Sequence, residues 1–247
     1  MNTTSQYIIQ LADNALILGQ RLSEWCGHGP VLEQDIAITN ITLDLIGEAR
    51  SLFQYAAQLL QSDEDKLAFL RLEHEYKNVL LVEQPNTDWA HTTVRQFLFD
   101  TYHYFLYQQL RNSSDITLAT IAEKTLKEVT YQLRYSSEWT IRLGDGTAVS
   151  HEKMQTALDN LWQFSGELFV PNIIETAAVK AGIGADLALI QQQFEQKTTE
   201  VFSRATLQIP SNVWMQQGGK DGRHTENFGF ILSEMQYMQR AYPNMEW

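Results

Sequence analysis

A single cysteine, Cys26, is all the thiol chemistry the 247-residue chain carries, so no intramolecular disulfide can form and a reducing compartment is expected. Basic residues are also scarce: 18 Lys and Arg stand against 30 Asp and Glu, for a formal net charge of −12. A surface of that sign repels phosphate backbones, which argues against nucleic-acid partners. Long apolar runs are missing too. The best one, Val79-Leu80-Leu81-Val82, is far short of the ~20 residues needed to cross a bilayer. The opening residues lack the basic stretch and apolar block of a secretory leader. A soluble, cytoplasmic protein with no membrane partner is the expectation. Alternating strand patterns, Asn-Gly hairpins and internal repeats are absent. So are the Gly-x-Ser-x-Gly, Walker A and Gly-x-Gly-x-x-Gly motifs, which leaves no hydrolase elbow, P-loop or dinucleotide turn.

What is present is helical periodicity from end to end. Residues 6–26 place Ile8, Leu11, Ala15, Leu18, Leu22 and Trp25 on one apolar seam, with Asp13 and Glu24 off it and Cys26 on its buried side. Gly27-His28-Gly29-Pro30 ends that helix. Further helices are expected over about 34–60, 63–76, 88–112, 115–143, 151–169, 185–205 and 225–241. The stretch Phe97–Tyr107 is apolar or aromatic nearly all round, as in a helix buried on most sides. The economical reading is a single all-α domain over 1–247, a long four-helix bundle over about 6–143 with a helical appendage over about 150–247.

Long bundles with polar residues at mid-helix raise the question of a dimetal carboxylate site. Such a site takes a Glu from each of two helices and a Glu-x-x-His from each of the other two. No Glu-x-x-His occurs in the chain. The second helix offers Asp44 with Gly47 where His should stand, and the fourth offers Glu128 with Tyr131 there; the third offers Asp100. The site is read as degenerate, with no metal held at Asp44, Gly47, Asp100, Glu128 or Tyr131. Asp100 and Glu128 are then expected to bond to Tyr131, His103 or a basic residue. Asp100-x-x-His103 keeps the spacing with the shorter acid, but hydrogen-bonded burial explains it better. Asp88-x-x-His91 and Asp221-x-x-His224 fall at a helix start and in a loop. An alternative from the residues alone is an oxygenase with an unorthodox metal site of Asp44, Asp100, His103 and Glu128. The Gly218–Thr225 stretch, with Lys220 and Arg223, could receive an anion, although a surface turn is the simpler reading.

Several stretches together resemble the structural-subunit family of the bacterial phenylacetyl-CoA epoxidase. They are Leu22–Pro30, Leu43–Arg50, Leu80–Asn86, Lys127–Tyr135, Gly218–Glu226 with Glu234–Tyr237, and the terminal Trp247. They run in order along the whole chain. The resemblance implies a ferritin-like fold and no catalytic residue in this chain. It also implies pairing with a related subunit that holds the di-iron centre and the CoA ester. A reductase with FAD and an iron–sulfur cluster would supply electrons from NADPH. It leaves open a homodimer of the isolated chain and a contact of Lys220 and Arg223 with the coenzyme A held next door. Phe53, Tyr55, Tyr102 and Tyr107 are expected as exposed aromatics of the partner face.

Overall fold

The computed structural model describes residues 2–243 and 245. Trp247 lies outside the described residues. The fold class is all-α, 74% helix with no strand among the described residues, consistent with a ferritin-like helical bundle. The helices are α1 (Thr3–Ser23), α2 (Leu32–Leu60), α3 (Glu64–Phe69), α4 (Trp89–Leu110), α5 (Ile116–Gly144), α6 (Ala148–Leu161), α7 (Ile173–Lys180), α8 (Leu187–Arg204) and α9 (Glu226–Ala241). The chain divides into two compact units, with boundaries between Gln84 and Pro85 and between Gln217 and Gly218.

The first unit is built on the α1–α2 hairpin. Asn2 caps α1, its side chain accepting from the Ser5 amide at 2.7 Å. Glycine is required in the turn between the helices: Gly27 has φ +79°, and a Cβ at Gly29 would lie 2.8 Å from Asp35. The reason is that Asp35, in the first turn of α2, accepts from the amides of both Gly27 (3.2 Å) and Gly29 (2.9 Å). These bonds, first that of Gly29, hold its carboxyl below the usual range. α2 buries one stripe, including Ile38, Ile41, Leu45, Leu52 and Ala56. α1 behaves differently, because every residue from Tyr7 to Leu18 is buried. In the same unit, α9 packs against α1 and α3.

The second unit is built on the α4–α5 hairpin, with α6 and α8 packed on it. Asp88 and Asp115 cap α4 and α5 through the amides of His91 and Leu118, each at 2.9 Å. The aromatic middle of α4 is buried as its composition implied, with Phe97, Phe99, Tyr102 and Tyr107 at most 2% exposed. Phe97 meets Phe202 of α8 edge to face at 5.2 Å.

Three elements depart from the sequence expectation, the first being the helix expected over 151–169, which stops at Leu161 and gives way to two short 3-10 turns, Trp162–Phe164 and Gly166–Phe169. The helix expected through Tyr76 stops at Phe69, and Leu72 is extended (φ −81°, ψ 158°). That break lets the Arg71 side chain turn inward to a buried acid. α7 was not anticipated: eight residues are too few for a periodic signal, although its capping box, Asn172 with Glu175, is a readable helix start.

Candidate functional site

The polar interior of the α4–α5 hairpin is where a dimetal centre would have to be built in the second unit. Asp100 is fully buried. Its Oδ1 accepts from Gln96 Nε2, one turn earlier, at 2.6 Å, and its Oδ2 has no hydrogen-bond partner. Burial pushes its carboxyl up to about 7, against the opposing influence of the Ser136 hydroxyl, His103 and Gln96. His103 is buried between the rings of Phe99 (5.0 Å) and Tyr107 (4.6 Å). From α5 the buried polar side chains are Thr125, Gln132, Ser136, Ser137 and Thr140. This interior therefore carries amides and hydroxyls where a metal pair would need carboxylates.

The other residues singled out in the sequence for that centre are partly or largely exposed. Glu128 is half-buried on α5 and Tyr131 is 54% exposed, stacked on Tyr135 at 6.4 Å. Asp44 of α2 is half-buried and Gly47 is exposed, and the buried acid of that helix is Glu48. The hydrogen bond expected at Asp100 from Tyr131, His103 or a basic residue comes instead from Gln96, with His103 acting on the carboxyl electrostatically. Among the described residues no three His, Cys, Asp or Glu side chains come together as a group able to hold a metal ion. A dimetal centre, with its four carboxylates and two His, does not fit this donor set.

Besides Glu48, the first unit holds two buried carboxylates that periodicity missed. Asp13, expected off the apolar seam and hence near solvent, is fully buried because α1 is covered all round. Arg71 grips it with both terminal nitrogens, Nη1 at 3.0 Å on Oδ2 and Nη2 on Oδ1, and the Lys77 amide adds a bond at 2.9 Å. The guanidinium lies 4.0 Å from the centre of the Tyr76 ring. The Tyr76 hydroxyl donates to the Ala68 carbonyl at 2.7 Å, and burial raises its pKa to about 12.

Glu83 is the second. Its carboxylate accepts from the Thr225 amide (3.0 Å), the Thr225 hydroxyl (2.8 Å), Asn78 Nδ2 (3.3 Å) and His224 Nδ1 (3.0 Å). The other nitrogen of His224 faces the Tyr76 carbonyl at 3.1 Å. Glu83 thus occupies the start of α9 as an internal anion, matched to the positive end of the helix. The Gly-rich turn folds tightly against the preceding segment: a Cβ at Gly219 would collide with the Asn78 carbonyl, and one at Gly222 (φ +82°) with that of His74. Lys220 is 4% exposed, whereas Arg223 is exposed and pairs with Asp221 at 3.4 Å. The two cations do not share one accessible anion site.

Cys26 is exposed, which corrects its placement in the core: α1 ends at Ser23 and the thiol falls in the turn. Phe53, Tyr102 and Tyr107 are buried and Tyr55 half-buried, so the aromatics expected on a partner face are mostly interior. A groove of about 450 Å³ between α4, α5 and α8 is lined by Tyr104, Leu133, Arg134, Lys197 and Arg204. Its cations are already engaged, Arg134 with Glu138 at 2.9 Å and Lys197 and Arg204 with Glu200 at 3.1 and 3.7 Å. No helix among the described residues is long and apolar enough to cross a membrane.

Comparison with known proteins gives a match over the full chain. Residues 1–247 match the family model described as phenylacetic acid catabolic protein. The chain is 46% identical, over 248 residues and 100% of both chains, to a subunit of the 1,2-phenylacetyl-CoA epoxidase of Escherichia coli (strain K12).

Proposed function

The chain belongs to the phenylacetic acid catabolic protein family, and from that premise we propose that it is a structural, non-catalytic subunit of a phenylacetyl-CoA ring epoxidase. In this reading it pairs with a related subunit that carries the di-iron centre and keeps that subunit folded and soluble. It binds no cofactor itself. A reductase with FAD and an iron–sulfur cluster delivers electrons from NADPH, and the complex works in the cytoplasm.

The observation that carries the reading is the chemistry of the α4–α5 interior. Gln96 of α4 and Gln132, Ser136 and Thr140 of α5 are buried, and the one acid these two helices bury fully, Asp100, is held by the Gln96 amide. The hairpin offers metals one fully buried carboxylate among amides and hydroxyls. The +4 charge of two metals would find little to offset it there.

Oxygen uptake tests the proposal. The purified chain, given phenylacetyl-CoA, ferrous iron and a reductant, should consume no more oxygen than a blank, and activity should appear only when the di-iron subunit and reductase are added. Turnover by the isolated chain would overturn it.

A further inference from the structure

α2 carries two apolar faces, and only one of them is covered. The covered face holds Ile38, Ile41, Leu45 and Leu52, each at most 2% exposed. On the opposite side Leu32, Ile36 and Leu43 are 72%, 52% and 61% exposed. With Gly47 they follow a four, seven, four spacing, which puts them on one stripe about 22 Å long. Gly47 is exposed, and a Cβ there would meet nothing within 4 Å, so another backbone can approach closely at that point. Three large aliphatic side chains in one line on a single helix form a patch of the kind that marks an interaction site.

Charge identifies what fits. From Leu32 to Arg50 the helix carries Glu33, Asp35, Asp44 and Glu48 against one cation, Arg50, which lies at the far end of the stripe and is paired with Glu64 at 3.2 Å. Glu48 is buried, while Glu33 is exposed and Asp35 and Asp44 are half-exposed. On the helical wheel Glu33 and Asp44 flank one side of the stripe and Asp35 the other. A second copy docked by the same face would bring these acids together, in chains of net charge −12 each, and like charges brought together at an interface cost several kcal/mol.

We infer that the Leu32–Ile36–Leu43–Gly47 face of α2 docks a helix of the related di-iron subunit, apolar along one stripe and carrying Lys or Arg on its flanks. The inference rests on the proposed role as a partner subunit and assigns that role a surface. Leu43 and Ile36 enter the apolar stripe of the partner helix, Gly47 lets the two backbones close, and Glu33 and Asp44 face the basic flanks at the rim, the Asp35 carboxylate being held by the turn.

The test measures binding of the full-length chain to the di-iron subunit by calorimetry, with light scattering on the isolated chain. Leu43→Glu and Gly47→Leu should each weaken Kd by about thirty-fold or more, as for the loss of a central contact. Ile173→Glu, at an 88% exposed position on α7, should bind as the parent does, and salt should weaken the parent complex. All three positions are exposed, and unchanged melting temperatures would show the variants folded. If the parent binds and both α2 variants bind equally well, the surface is wrong while the subunit role stands. If the isolated chain is a dimer that Leu43→Glu dissociates, a second copy covers the face and the inference is overturned. If the parent binds nothing, the subunit role itself fails and the inference falls with it.

Discussion

Replacing Asp100 by Asn should stabilise the protein, and only above a definite pH. Asp100 is fully buried with one oxygen unpartnered, and its pKa rises from 3.8 to about 7 on folding. Because the folded state holds the proton more tightly, it binds more protons than the unfolded chain between those two values. Stability therefore falls as pH rises through that window. Below it the parent pays nothing. Above it the buried carboxylate costs at most about 4 kcal/mol, from roughly three pKa units at 1.36 kcal/mol each. Local relaxation lowers that limit, so about 2 kcal/mol is the working expectation. The Asn variant keeps the shape and an acceptor for Gln96 without the charge. In a chain of this length that gain raises the midpoint by roughly 4–8 °C. Calorimetric melts of parent and Asp100→Asn at pH 8 and near pH 4 should differ at the first and coincide at the second. A variant less stable than the parent at pH 8 would refute the reasoning, because it would mean that the carboxylate is ionised and held by a cation.

Other substitutions probe the first unit. Arg71→Met strands the Asp13 carboxylate and should cost about 3–5 kcal/mol in urea unfolding, with Asp13→Asn/Arg71→Met recovering much of it. Glu83→Ala leaves the Thr225 amide and His224 Nδ1 without their acceptor. It should cost about 2–3 kcal/mol and speed hydrogen exchange in α9 while leaving α5 unchanged. Gly222→Ala forces a side chain into φ +82° and against the His74 carbonyl. It should cost at least about 1 kcal/mol, read as a lowered melting temperature.

The long helices were legible because their apolar seams repeat over twenty or more residues. Asp88 was legible as a cap from its position ahead of α4. Rotational phase was harder to read. Glu128 and Tyr131 sit beside the buried stripe of α5, while Gln132 and Ser136 point inward. A difference of one position, about 100° of rotation, separates those outcomes. α1 misled for another reason: once every side is covered, a seam no longer says which residue faces water, and Asp13 is as buried as Leu18. A cue was present, since Asp13 is the one charged residue between Ser5 and Leu18. The partners of the buried acids had no local signal. Arg71 lies 58 residues from Asp13 and His224 lies 141 from Glu83.

The central claim is that this chain holds no metal centre, and metal content tests it most directly. The chain would be expressed alone in iron-supplemented medium, purified without chelator and analysed for iron and manganese. The account predicts well under one metal ion per chain. A value near two would contradict it and make Asp44, Asp100 and Glu128 candidate ligands of an active centre.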